Sequence, residues 1–216
     1  VDHCDRAGLN TIMTSTSIAS GSDRALAAAD AQGETPEIIV NLQGDAPFTP
    51  IAYIVDVVKA LLDDQTVQVA TPCLRLDWPA LDQLRQAKQT TPFSGTTCLI
   101  GPNDRALWFS KSILPAIRGE DKLRAADHLS PIYRHVGIYG YRLEALKRFA
   151  ALPPSYYEQL EGLEQLRLLE NGISIKCVEV EDAAIATSGV DAPDDLERLE
   201  KLIAAHGDPD AVFFDD

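Results

Sequence analysis

The stretch EIIVNLQGDAPFTP, residues 37–50, decides the fold. Glu37 to Gln43 is a short apolar run, β-branched at Ile38, Ile39 and Val40, that ends in Gly44-Asp45. It reads as a buried strand. Thr49 then offers a helix N-cap and Pro50 a first-turn residue. Ile51, Ile54, Val55, Val58, Leu61 and Leu62 follow with a 3.6-residue period, one face of an amphipathic helix. Val67 to Leu76 reads as the next strand and Trp78 to Lys88 as the next helix, capped by Asp77. Upstream, Asn10 to Thr14 is the candidate first strand. SGSDRALAAADAQG then forms a helix from near Ser20 that stops at Gly33. Alternating strands and helices predict an α/β fold: three layers, a mostly parallel sheet covered on both faces, and a smaller antiparallel excursion.

The middle of the chain breaks the alternation. Gly95 to Gly101, Arg105 to Ser112 and His135 to Tyr141 are strand-like, with little helix between the first two, so an antiparallel excursion is expected at residues 92–141. Ser112 to Pro131 is polar and irregular and reads as a loop or a dimer arm. Tyr156 to Asn171 is a Leu-rich helix closed by Gly172. Ile173 to Glu181 is a further strand. Asp191 to Ala205 is a last helix with Leu196, Leu199, Leu202 and Ile203 inward.

With 216 residues, 45% of them hydrophobic, the chain can bury one sizeable core. Its net charge of −14 repels nucleic-acid backbones and anionic membranes, so neither is an expected partner. A nucleotide ligand would need local neutralisation, which a divalent cation on carboxylates supplies. No apolar run approaches the ~18 residues of a membrane span, and no secretory signal is visible. Cys4, Cys73, Cys98 and Cys177 are scattered, without C-x-x-C spacing and without a histidine cluster. They read as reduced, mostly core thiols of a cytoplasmic protein, and no zinc site is expected. The start, VDHCDRAGLNT, reads as a helix end capped by Gly8, which suggests a fragment or a processed product.

Five segments carry candidate chemistry. In NLQGDAP, residues 41–47, a strand ends where a helix is about to begin, the ligand-binding end of an open α/β sheet. Gly44 permits close backbone approach, Asp45 offers hard oxygen ligands, and Gln43 offers a donor and an acceptor to a base edge. Alone, the segment reads more readily as a turn with Asp45 as a local cap. In GVDAPDD, residues 189–195, Asp191 alone reads more readily as an N-cap, yet two carboxylates from distant segments can share Mg²⁺. Glu161, Glu164 and Gln165 share one helix face, either solvated or suited to sugar hydroxyls. In RHVGIYGYR, residues 134–142, alternation puts His135, Gly137, Tyr139 and Tyr141 on one strand face. Ser20-Gly21-Ser22-Asp23-Arg24 opens a helix, either as a simple cap or as an anion site.

In order, SGSDR, NLQGDAPF, ALWFSKSILP, RHVGIYGYR, LEGLEQLRLLENG and GVDAPDDLERLE resemble the 3-deoxy-manno-octulosonate (Kdo) cytidylyltransferase family, from about Gly8 to Ile203. The resemblance implies a fold of the nucleotide-diphospho-sugar transferase type in one domain spanning 1–216. It implies transfer of CMP from CTP to Kdo, with pyrophosphate leaving, for lipopolysaccharide biosynthesis in the cytoplasm. By the family's pattern, Asp45 and Asp191 are the catalytic pair that holds Mg²⁺. Gln43, Gly44, Ser20, Gly21 and Arg24 bind the nucleotide. His135, Tyr139, Glu164, Gln165 and Lys111 bind the sugar. A homodimer is implied too. The chain departs from the pattern at Ala46, where Glu is usual, at Ile18 for His, and at Lys111 for Arg. PFSGTT, residues 92–97, replaces the more usual Asn-Pro-x-x-Val-Lys-Val. The family's opening strand, with its Gly-, Arg- and Lys-bearing loop, has no counterpart. Two alternatives stay open: another ulosonic acid as acceptor, amino-modified or sialic-acid-like, and a non-catalytic sugar-binding or dimerisation module.

Overall fold

The computed structural model describes residue 4, residues 6–18, 20–33, 35–46 and 48–181, and positions 196, 197, 200, 201, 203 and 204. Helix α1 spans Gly21–Gln32. The Ser20 side chain accepts from the Asp23 amide at its start, and Gly33, at φ 69°, closes it in the left-handed conformation that glycine adopts most cheaply. Strand β1, Ile38–Asn41, leads to α2, Ile51–Asp63. Thr49 does not cap α2; its hydroxyl donates to the Ala46 carbonyl, 3.0 Å away. Strand β2, Val69–Asp77, is buried over nearly its whole length. It runs into α3, Trp78–Thr90, capped by Asp77 through a 2.7 Å bond from the Ala80 amide.

Next come β3, Thr97–Ile100, β4, Ala106–Ser110, and α4, Glu120–Ala126. Strands β5, Leu129–His135, and β6, Tyr139–Arg142, lead into α5, Leu143–Ala151. Helices α6, Tyr156–Glu161, and α7, Gln165–Glu170, precede β7, Ile175–Val180. The expected single Leu-rich helix is therefore two short ones. They are separated at Gly162, φ 64°, just before the turn that carries Glu164. No strand forms at Asn10 to Thr14. Of the expected last helix, the described positions between 196 and 204 are helical, and Asp191 lies outside the described residues.

The sheet corrects the prediction of a mostly parallel array. Its order is β1-β6-β2-β5-β3-β4, with β7 on the other edge of β2. The described pairs are antiparallel except β2 with β7. Strands β1 and β2 do run in the same direction, as a strand–helix–strand unit requires. They are not neighbours, because β6 is inserted between them and hydrogen-bonds to both. Strands β5 and β6 lie along the same edge of β2, bent at residues 136–138, where the Ile138 amide donates to the Val136 carbonyl at 2.7 Å. Beyond β4 the sheet curls until Arg105 bridges to Lys176 of β7.

Helices cover both faces of this curled sheet. Val57 and Leu61 of α2 pack on Ala70, and Leu81 of α3 packs with Leu74, Leu76 and Ile132. On the opposite face, Val69 and Cys73 meet Leu146 and Phe149 of α5 and Leu166 of α7. Gly140 lets α2 approach β6: a Cβ there would stand 2.5 Å from Val57 Cγ1 and 2.7 Å from Leu61 Cδ1. Gly140→Ala is therefore expected to destabilise the fold by about 1–3 kcal/mol through overpacking. A urea midpoint unchanged from the parent protein would contradict that contact.

Candidate functional site

A polar cluster forms where α1, β1, β6 and the turn before α7 meet. Ser22, fully buried in the first turn of α1, is its hub. Its hydroxyl donates to Glu164 Oε1 at 2.9 Å. The single proton being used there, the 3.0 Å contact with the Tyr141 hydroxyl runs the other way, with Tyr141 donating. Asn41, buried at the end of β1, donates from Nδ2 to the same Ser22 oxygen at 3.4 Å. Burial raises the Glu164 carboxyl above its ordinary range, while the hydrogen bond from Ser22 holds part of the rise down. Burial, and next the Glu164 charge, likewise raise the Tyr141 phenol.

Gly21 and Gln43 adjoin this cluster. A Cβ on Gly21 would lie 3.2 Å from Asn41 Nδ2 and 3.4 Å from Gln43 Nε2, so the helix start and the end of β1 touch because residue 21 lacks a side chain. Gln43 also reaches the Gly137 bend, where an added Cβ would meet Gln43 Cγ at 4.0 Å. Thus the start of α1 and the end of β1, which belong to the expected nucleotide segments, are joined through Ser22 to the expected sugar residue Glu164, with Gln43 packed alongside. Ser20 itself accepts from Asp23 N at 3.1 Å and donates to Asp23 Oδ2 at 2.8 Å.

Alongside runs an aromatic row. The His135 ring lies 5.0 Å from Phe109 and 5.3 Å from Tyr139. Tyr139 is 5.9 Å from Tyr141, and Tyr141 is 6.3 Å from Phe149. Despite the bend at 136–138, His135, Tyr139 and Tyr141 therefore share one face of the sheet. Thr71 Oγ1 donates to the Ile138 carbonyl at 2.7 Å and lies 2.9 Å from His135 Nε2. With its one proton so placed, Thr71 accepts from Nε2–H, which leaves His135 Nδ1 as a lone-pair acceptor. Burial first, then the charge of Lys111, lowers the His135 pKa to about 3. The imidazole is neutral at neutral pH. An unfolded histidine titrates near 6.5, so the unfolded chain takes up the proton first as pH falls. The resulting stability is complete above pH ~6.5 and is lost as pH falls toward 3. The His135 ring-proton resonances are expected to show no titration between pH 5 and 8. A midpoint inside that window would contradict the buried neutral ring.

Lys111 is held by its backbone: its amide donates to Glu161 Oε2 at 2.8 Å, and its carbonyl accepts from Lys88 Nζ. Glu161 also accepts from Ser110 Oγ at 2.8 Å, so this carboxylate is engaged in structure. Lys88 Nζ further reaches the Ser94 and Gly95 carbonyls at 2.6 and 2.9 Å, tying the 92–97 loop to the Lys111 turn. Gln165 is only 2% exposed, and its Nε2 has no hydrogen-bond partner among the described residues. A buried amide donor without an acceptor costs free energy that a bound oxygen would recover.

Arg24 and Asp45 stand apart from the network. Arg24 donates to Thr14 Oγ1 at 2.9 Å and to the Ile18 carbonyl at 2.8 Å, so its guanidinium braces the 14–18 loop. Gly44 and Asp45 form an exposed turn after β1, and no hydrogen bond or ion pair engages the Asp45 carboxylate among the described residues. An unengaged hard-oxygen donor there fits a divalent cation. Sequence reasoning overlooked Ser22, Asn41 and Thr71 as organisers. SGSDR and NLQGD contain the first two, but Glu164, the partner of Ser22, is 142 residues from it, and only the fold supplies that contact.

Residues 1–175 match the family described as cytidylyltransferase, a class of nucleotide-transferring enzymes, and the chain belongs to that family. Within it, the chain is similar to named 3-deoxy-manno-octulosonate cytidylyltransferases. That of Maricaulis maris is 37% identical over 208 residues, which cover 96% of this chain and 78% of the relative. That of Elusimicrobium minutum is 36% identical over 203 residues, covering 94% and 76%. A solved CMP:2-keto-3-deoxy-manno-octonic acid synthetase, complexed with CTP, superposes with a TM-score of 0.78 at 32% identity, over 94% of this chain and 76% of that one. Among the described residues no helix is long and apolar enough to cross a membrane.

Proposed function

We propose that the chain transfers CMP from CTP to 3-deoxy-manno-octulosonate, forming CMP-Kdo and releasing pyrophosphate. The observation that carries this reading is the shared network. Ser22, from one segment expected to meet the nucleotide, hydrogen-bonds directly to Glu164, an expected sugar residue, and to Tyr141 beside it, and Asn41, from the other segment, donates to the same Ser22 oxygen. The family relationship over nearly the whole chain supports it.

In the proposed reaction the anomeric hydroxyl of the sugar attacks the α-phosphorus of CTP, and the bond to pyrophosphate breaks. Gln43, Gly44, Ser20 and Gly21 receive the nucleotide, and Arg24 keeps the adjoining loop in place. His135 accepts a sugar hydroxyl through Nδ1, which a neutral ring can do and an imidazolium cannot. Tyr139, Glu164 and Gln165 orient the remaining hydroxyls, and the Lys111 ammonium answers the ulosonate carboxylate. Holding both reactants in line is a large part of the rate gain. Asp45 and Asp191 are the proposed ligands of Mg²⁺, which when bound would neutralise phosphate charge. A homodimer and a cytoplasmic site of action belong to the same proposal. The exposed Tyr156, Tyr157 and Leu160 on one short helix are compatible with a partner surface.

The test is pyrophosphate release from CTP and Mg²⁺ with a panel of Kdo, amino-modified Kdo and a sialic acid. Kdo is expected to be the best acceptor. A panel on which Kdo is inert while a sialic acid turns over would overturn the assignment. Gln165→Leu removes the orphaned donor, so it should leave stability unchanged or raise it by about 1 kcal/mol, while KM for Kdo rises about tenfold. An unaltered KM would place Gln165 outside the sugar site.

A further inference from the structure

Three of the four cysteines converge on one point in the core. Cys73 comes from β2, Cys98 from β3 and Cys177 from β7, and they are 0%, 1% and 2% exposed. Their sulfur atoms all lie within 4.8 Å of one another, and Cys98 Sγ and Cys177 Sγ are 3.5 Å apart. All four cysteines are free thiols. Buried thiols often serve merely as small apolar side chains. Three sulfurs from three separate strands aimed at one centre are a different arrangement.

We propose that Cys73, Cys98 and Cys177 form a three-sulfur site for a soft, thiophilic metal ion of the Cu(I) type. A metal about 2.3 Å from each of three sulfurs in a plane would set the sulfurs about 4 Å apart. The observed separations, from 3.5 Å up to a limit of 4.8 Å, bracket that spacing, so small side-chain rotations suffice. No histidine or carboxylate joins the three sulfurs among the described residues. A structural zinc site wants four ligands, and an iron–sulfur cluster wants four cysteines. Of the ions that thiolates favour, this leaves Cu(I). The apolar wall of Phe109, Tyr139 and Ile175 keeps water from completing a larger coordination shell. Each S–H replaced by a metal–sulfur bond releases its proton to solvent.

The site adjoins the aromatic row without belonging to it. Cys73 is paired with His135 across β2 and β5, and Thr71, which holds the His135 ring, lies two residues earlier on β2. None of the three cysteines is among the residues proposed above to touch substrate, so the proposal stands or falls independently of the reaction.

The experiment is an anaerobic titration of the reduced protein with Cu(I) against a chromophoric Cu(I) chelator, in a Cys4→Ser background that removes the remaining thiol. One Cu(I) per chain is expected, with a near-ultraviolet sulfur-to-metal absorption band and X-ray absorption showing three sulfurs at about 2.3 Å. Cys98→Ser and Cys177→Ser should each weaken binding by more than about 100-fold, because even outer-shell partners of metal sites are worth about 10- to 100-fold. Cys73→Ala keeps an apolar side chain in the core and gives the same readout should a serine variant fail to fold. Retention of parental affinity in Cys73→Ala or Cys177→Ser would overturn the site. So would Zn(II) binding as tight as Cu(I), or a coordination shell of two or four donors.

Discussion

Asp45→Asn is expected to abolish most CMP transfer, lowering kcat by about 100- to 1000-fold, the range for removal of one group that stabilises transition-state charge. The fold should not suffer. Asp45 is exposed in a turn, and surface changes of this kind usually fall within about 0.5 kcal/mol. The substitution keeps the shape of the side chain and removes its charge, so a loss would report on cation holding rather than on packing. Raising Mg²⁺ should recover part of the rate, since a weakened site is refilled by mass action. A variant with parental kcat at low Mg²⁺ would show that Asp45 is a turn residue alone, the reading that the segment invites when taken by itself.

Glu158→Ala is expected to have the largest effect on stability. Glu158 and Arg167 form a buried pair, with side chains 11% and 7% exposed. Arg167 Nε donates to Glu158 Oε2 at 2.8 Å, and its guanidinium lies 4.3 Å above the Phe149 ring. Glu158 also closes α6 by accepting from the Ser155 amide at 2.7 Å. Removing the carboxylate strands a guanidinium in the core, a loss of about 3–5 kcal/mol. In a chain of this size that corresponds to a fall in Tm of about 6–20 °C. Replacing both partners together, Glu158→Leu with Arg167→Met, should recover most of the loss, because a well-packed apolar pair avoids the desolvation cost. If the double variant melts below the single one, the pair contributes more than mutual neutralisation. A single variant within 2 °C of the parent would contradict the buried-pair account.

Much of the element order is legible in residues 37–90, where apolar periodicity and the Asp77 cap give strand, helix, strand and helix nearly as the structure has them. The strand directions are not. A β–α–β alternation fixes that β1 and β2 point the same way; it does not encode that β6, a hundred residues later, lies between them. Strand β5 escapes notice because Pro131 and Arg134 interrupt its pattern and the polar run before it reads as loop. The Leu-rich segment at 156–171 carries a helical period throughout, yet Gly162 in a left-handed conformation splits it and opens the turn that carries Glu164. At the site, individual motifs are visible but their contacts are not. Ser22 meets Tyr141 across 119 residues, and Cys98 meets Cys177 across 79. Spacing rules for cysteine look for ligands close in sequence, so three thiols gathered by three strands leave no local signature.

In the proposed reaction CMP moves to the anomeric oxygen of Kdo on this chain. The most direct measurement is ³¹P NMR of the protein with CTP, Kdo and Mg²⁺, with ¹³C label at the anomeric carbon of the sugar. Equal amounts of pyrophosphate and a phosphodiester resonance coupled to that carbon, the signature of CMP-Kdo, are expected. Formation of CDP with a phosphorylated sugar, or CTP left intact while labelled Kdo stays free, would contradict that reaction.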